Sequence, residues 1–123
     1  WKSIESAYKT SPFFEYYEDD LTSLFTTKKK YLLNFNLECI EVINSCLNLD
    51  FDYSKTLQFN KEANEKDYRH LVNARKETQM KTTLYMQVFQ EKHGFIHNLS
   101  VLDLLFNEGP NAKNFLRTQH LTF

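Results

Sequence analysis

Apolar positions in this chain recur mostly at spacings of three and four, the period of one face of a helix. The longest such run is Leu21, Leu24, Phe25, Tyr31, Leu32, Phe35, Cys39, Val42, Ile43, Cys46 and Leu47, which predicts one long helix from Leu21 to Leu47, about seven turns. Lys28, Lys29 and Lys30 interrupt it. Three consecutive residues sweep about 200° of a helix, so they read as a solvated face rather than a binding patch. Upstream, Trp1, Ile4 and Tyr8 form one helical stripe, and Ser11-Pro12 supplies a cap and a first-turn proline for a short helix through Phe13, Phe14, Glu15, Tyr16 and Tyr17 into Glu18-Asp19-Asp20.

The downstream half has clearer punctuation. Ser100 is placed to cap a helix with Asp103 as its acidic capping-box partner. Val101, Leu102, Leu104, Leu105 and Phe106 form the apolar body, and Gly109-Pro110 stops it. Tyr85, Val88 and Phe89 predict a helix that ends near Gly94, and Ala112, Phe115 and Leu116 a last short one before a tail from His120 to Phe123. Between the halves, Leu49 to Phe59 alternates Phe51 and Tyr53 with polar residues, as a short strand or extended connector would. Asn60 to Glu65 reads as loop, Asp67 to Val72 as a helical turn, and Lys76 to Lys81 as exposed and poorly ordered. The expected fold is mainly α: one compact helical domain over residues 1–123, built on the long helix, with at most a short extended or strand segment.

Composition supports that size and narrows the partners. A chain of 123 residues and 14.7 kDa has the length of one domain. Aromatic residues make up 15%, with 11 Phe and 7 Tyr, which points to a rigid aromatic core or cleft. A net charge of -1 offers no attraction for a phosphate backbone or an anionic membrane surface, so nucleic acid is not the expected partner. No apolar run has the length of a membrane span, and the start lacks the basic-then-apolar pattern of a secretory signal. The chain opens without Met, which reads as a piece of a longer protein. Cys39 and Cys46 are seven apart on the apolar stripe, about 10 Å along a helix, too far to bridge each other. Buried, reduced thiols are the natural reading, and with them a cytoplasmic setting. The chain has only Gly94 and Gly109 and so lacks a glycine-rich phosphate cradle.

The candidate chemistry is sparse. His93 and His97 have the spacing of two ligands on one helix face, but Gly94 lies between them and a zinc site needs three or four protein ligands. No metal site and no cofactor is therefore expected; His93 keeps a claim as a general base. No Ser sits in a G-x-S-x-G elbow. Asn98-Leu99-Ser100 has the form of a glycosylation acceptor, which the helix cap already explains. Glu108 places a negative charge at the unfavourable end of a helix dipole, so Glu108 and its neighbour Asn107 are the first catalytic candidates, with His93 third. Tyr8, Glu15, Tyr16 and Tyr17, with Gln87 and Asn98, are the candidate substrate-binding groups. Aromatic platforms beside carboxylates and amides suit a sugar, although a plain helix-helix interface explains the Tyr8 to Tyr17 group as well.

Two long strings, WKSIESAYKTSPFFEYYEDD at Trp1 to Asp20 and YMQVFQEKHGFIHNLSVLDLLFNEGPNA at Tyr85 to Ala112, resemble the C-terminal part of a WbqC-like protein. Members of that family carry a further N-terminal segment about the size of a small domain, are associated with bacterial surface-polysaccharide (O-antigen) gene clusters, and are in some cases labelled glycine or acyl transferases. The resemblance implies a small-group (aminoacyl, glycyl or acyl) transferase with a nucleotide-sugar or amino-sugar substrate. The alternative is a non-catalytic binding or scaffold module of a polysaccharide-synthesis complex. A pocket shared by Asn107, Glu108 and the Tyr16/Tyr17 group is the mark of the enzyme. Dispersal of those groups, with their polar atoms satisfied locally, is the mark of the module. Oligomeric state is not legible from these residues.

Overall fold

Short α-helices and irregular connectors carry the whole described architecture. The computed structural model describes residues 1–62, 67–69 and 82–119. In order these are α1 (Lys2–Tyr8), α2 (Phe14–Thr26), α3 (Leu32–Cys46), α4 (Gln90–His93) and α5 (Val101–Glu108), then a 3-10 turn (Gly109–Asn111) and α6 (Ala112–Arg117). There is no strand among the described residues. The mainly helical fold stands. The stretch from Lys76 to Lys81, the tail from His120, and most of the Asp67 to Val72 turn lie outside the described residues.

The single long helix does not form; α2 and α3 replace it. Thr27 (φ -93°, ψ 119°) and Tyr31 (φ -125°, ψ 135°) are both extended and bracket the break. The last turns of α2 are weakened from within, because the hydroxyls of Thr22, Ser23 and Thr26 each donate to a carbonyl three or four residues back. Three adjacent lysines follow, and the turn lets Lys29 pair with Glu38 of α3 instead of stacking on like charges. The break lets α2 and α3 pack against each other.

The core is made of Phe14, Tyr17, Leu21 and Leu24 of α2, Leu47 at the end of α3, Leu104, Leu105 and Phe106 of α5, and Ala112 of α6. Rings knit it together: Phe106 lies 5.0 Å from Tyr8 and 5.1 Å from Phe14, and Trp1 stacks on Phe14 at 5.9 Å. α3 contributes no fully buried residue. Its half-buried stripe of Phe35, Cys39, Val42, Ile43 and Cys46 faces the core, while Leu32 and Leu33 are exposed. Burial raises the pKa of both cysteine thiols.

Helix ends show which local signals act as expected. Ser100 caps α5, its Oγ accepting from the Leu102 N–H at 3.3 Å. Asp103 is not its capping-box partner; the side chain turns inward and is 3% exposed. Ser11 does not cap α2 either. Its hydroxyl donates to the Tyr8 carbonyl (2.6 Å) and closes the end of α1, so α2 starts at Phe14 with the Phe13 N–H donating to the Phe106 carbonyl (3.0 Å). α3 ends in a Schellman motif: Asn48 takes φ 52°, its N–H donates to the Ser45 carbonyl, and the Leu49 N–H reaches the Asn44 carbonyl. Gly109 has φ 53°, and a Cβ there would stand 2.5 Å from the Phe13 ring, so only glycine fits.

Tyr85 to Phe89 is not a helix. Residues 82–87 are irregular, and α4 begins at Gln90. A long-range clamp overrides the helical spacing: Gln87 Nε2 donates to the Ile96 carbonyl (2.8 Å) and the Ile96 N–H donates to Gln87 Oε1 (2.9 Å). The amide side chain takes the place of a neighbouring strand.

Candidate functional site

A cleft of about 570 Å³ opens where the α1–α2 turn, the segment into α4 and the end of α5 meet. Thr10, Ser11 and Pro12 form one wall, Met86 to Val88 with Gln90 and Glu91 another, and Asn107 the third. That volume lies within the range of small-molecule sites, about 300–1,000 Å³. Its polar walls are held from behind. Gln87, 6% exposed, is fixed by the Ile96 clamp, and its own N–H donates to Gln90 Oε1 at 3.3 Å. Asn107 Nδ2 donates to the Asp103 carbonyl at 2.8 Å.

Deeper in, Asp103 anchors a polar interior that local sequence signals do not reveal. The Tyr85 hydroxyl donates to Asp103 Oδ1 at 2.7 Å, and Tyr8 stands against the same carboxylate. Burial first, then the charge of Asp103 and hydrogen bonding to it, push Tyr8 up to about 12. Burial leads the upward shift of Tyr85 as well. Both phenols therefore stay protonated as donors to a buried carboxylate, which is a structural arrangement rather than that of an activated base. Tyr85 is packed edge-on between Phe95 (5.5 Å) and Phe115 (5.2 Å), tying α6 to this centre.

A model of the WbqC-like protein family matches residues 1–88 and 77–115, most of the chain. The chain belongs to the WbqC-like family. No curated protein and no solved structure matches it. The match runs well beyond the Trp1 to Asp20 and Tyr85 to Ala112 strings, and the cleft of this WbqC-like protein is built from both of them.

Of the candidate residues, the cleft brings together Gln87 and Asn107. Glu108 does not line it; its Oε2 accepts from Asn111 Nδ2 (2.8 Å) across the 3-10 turn that follows α5. His93 is exposed on α4 with its ring near Phe89, and His97 accepts from the Thr82 N–H through Nδ1 at 3.2 Å. Tyr8 packs inward on Phe106 and Asp103. Tyr16 is 72% exposed while Tyr17 is buried with its ring edge-on to Tyr16, and Glu15 is exposed on the same helix. Asn98, at φ 56°, borders a smaller hollow with Leu99, Leu104 and Phe115. Among the described residues no group of three or more His, Cys, Asp or Glu side chains is arranged to hold a metal ion. No helix among them is long and apolar enough to cross a membrane.

Glu91 is the charged cleft residue that sequence reasoning missed. It lies in the YMQVFQEKHG string two residues from His93, within the segment that the Gln87–Ile96 clamp closes, and that clamp has no local signal.

Proposed function

We propose that this WbqC-like protein serves bacterial surface-polysaccharide (O-antigen) synthesis as a non-catalytic binding or scaffold module, with the Gln87–Asn107 cleft holding part of an amino-sugar or nucleotide-sugar precursor. The observation that carries the reading is the commitment of the candidate reactive groups to local structure. The Ser11 hydroxyl donates to the Tyr8 carbonyl, Asn107 to Asp103, and Asn111 to Glu108. Asn107, Glu108 and the Tyr16/Tyr17 pair share no pocket among those described, and a nucleophile needs a base within hydrogen-bond reach.

A second reading, a small-group (aminoacyl, glycyl or acyl) transferase, is favoured by one observation. Glu91 lines the cleft with a carboxylate that has no hydrogen-bond or ion-pair partner among the described residues, which leaves it available to take a proton from a group bound there. A thermal-shift screen of the whole protein with amino sugars, nucleotide sugars and glycyl or acyl donors tests both. A ligand at 100 times its Kd stabilises by about 2.7 kcal/mol and raises Tm by several degrees. The module reading expects sugar precursors to do so and no donor to be consumed. Donor consumption that is lost in Glu91→Gln establishes the transferase instead, and silence from every compound overturns both.

A further inference from the structure

We propose that the hollow between the end of α3, the connector after it and α6 is a saccharide subsite, with Phe51 and Tyr53 as a stacking platform for the C–H face of a pyranose ring. The hollow is about 750 Å³ and lies apart from the cleft, lined by other residues. Phe51 and Tyr53 are two apart on the irregular connector after α3, and both line the hollow. Their rings are near parallel, with centroids 6.5 Å apart and planes at 27°, yet they are 59% and 41% exposed. Two large rings held together in water without covering any core are the arrangement that the apolar face of a sugar satisfies.

The surroundings supply directional polar groups for the sugar's hydroxyls. Asn44 from α3, Asp50 from the connector and Arg117 from α6 line the hollow, and their side chains have no partner among the described residues. The walls are braced. The Tyr53 hydroxyl donates to Glu41 at 2.8 Å, and Lys113 of α6 donates to the carbonyl of Asn48, the left-handed residue of the Schellman turn. The hollow carries Glu41 and Asp50 against Lys113 and Arg117, so its formal charge balances. An uncharged polar ring fits that balance better than a polyanion does. The inference rests on the polysaccharide reading for its biological setting, while its geometry is independent of the cleft.

Saturation-transfer difference NMR on the whole protein with methyl β-glucopyranoside and N-acetylglucosamine tests it. The expected result is saturation concentrated on the ring C–H protons, with binding weakened at least fivefold in Phe51→Ala and in Tyr53→Ala, retained in Phe51→Tyr, and unchanged in Leu33→Ala. Both rings are exposed, so Tm of the alanine variants stays within a degree or two of the parent and lost binding is not lost folding. Saturation that survives Phe51→Ala and Tyr53→Ala but disappears in Glu91→Gln places the sugar in the cleft: the subsite is overturned and the module reading stands. Absence of saturation from any pyranose overturns the subsite, and if precursors also give no thermal shift the module reading falls with it.

Discussion

Asp103 is the residue on which the polar interior turns, because a carboxylate 3% exposed must be supplied with donors. Tyr85→Phe removes one donor and leaves the cavity filled, so the expected cost is about 1–3 kcal/mol of unfolding free energy, measured by urea denaturation. The tyrosines also set an alkaline limit. The ordinary pKa is 10.0 and Tyr8 is pushed up to about 12 in the folded state, so between those values the native chain holds a proton that the unfolded chain has lost. Stability from this group is complete below about pH 10 and is lost as pH rises through 12. Tyr8→Phe flattens that limb in denaturation curves taken from pH 9 to 12; an unchanged slope contradicts the assignment. Gly109 is the other residue with no substitute. Gly109→Ala meets the Phe13 ring as well as the positive φ and costs about 2–4 kcal/mol, whereas Gly94→Ala, with open space around it, carries the backbone strain alone, about 1–3 kcal/mol. Thermal melts of the two variants rank them.

At the scale of elements, local signals were legible where local interactions decide the outcome. The Ser100 cap and the Gly109 stop of α5 were readable because a cap is satisfied within three residues and a positive φ within one. The periodicity from Leu21 to Leu47 was real for Leu21, Leu24, Phe35, Cys39, Val42, Ile43, Cys46 and Leu47, which meet the core, whereas Phe25, Tyr31 and Leu32 around the break are exposed; spacing does not report a turn between two helices. Serine and threonine hydroxyls bond back to carbonyls in the last turns before that break, and Lys29 reaches Glu38 across it. Both partners of that pair are partly exposed, so a double-mutant cycle on Lys29→Ala and Glu38→Ala gives a coupling below about 1 kcal/mol, with the turn intact. The Gln87–Ile96 clamp spans nine residues, and no propensity announces it. Gln87→Ala removes two hydrogen bonds, about 1–3 kcal/mol together, and hydrogen exchange at the Ile96 amide accelerates.

At the scale of the molecule, the aromatic richness of the chain resolves into two uses. Phe14, Phe106, Tyr8 and Trp1 are spent on the core, so Phe106→Ala costs about 3–5 kcal/mol. Phe51, Tyr53 and Tyr16 remain at the surface. The sequence strings that carry the family likeness come together as the walls of one cleft, yet only Gln87 and Asn107 of the candidate groups meet there: Tyr8 and Tyr17 pack into the core, Glu15, Tyr16 and His93 are exposed, Asn98 borders a different hollow, and Glu108 is bonded by Asn111. Asn107 and Glu108 stood out as unexplained in the sequence; their amide and carboxylate bonds to Asp103 and Asn111 are short-range and account for both. In the function we propose, this WbqC-like protein holds a sugar precursor without transferring a group to it. Mass spectrometry of the whole protein incubated with an amino-sugar nucleotide and a glycyl or acyl donor tests it most directly: the account predicts a protein–sugar complex and unchanged donor and sugar masses, and a sugar product heavier by the transferred group contradicts it.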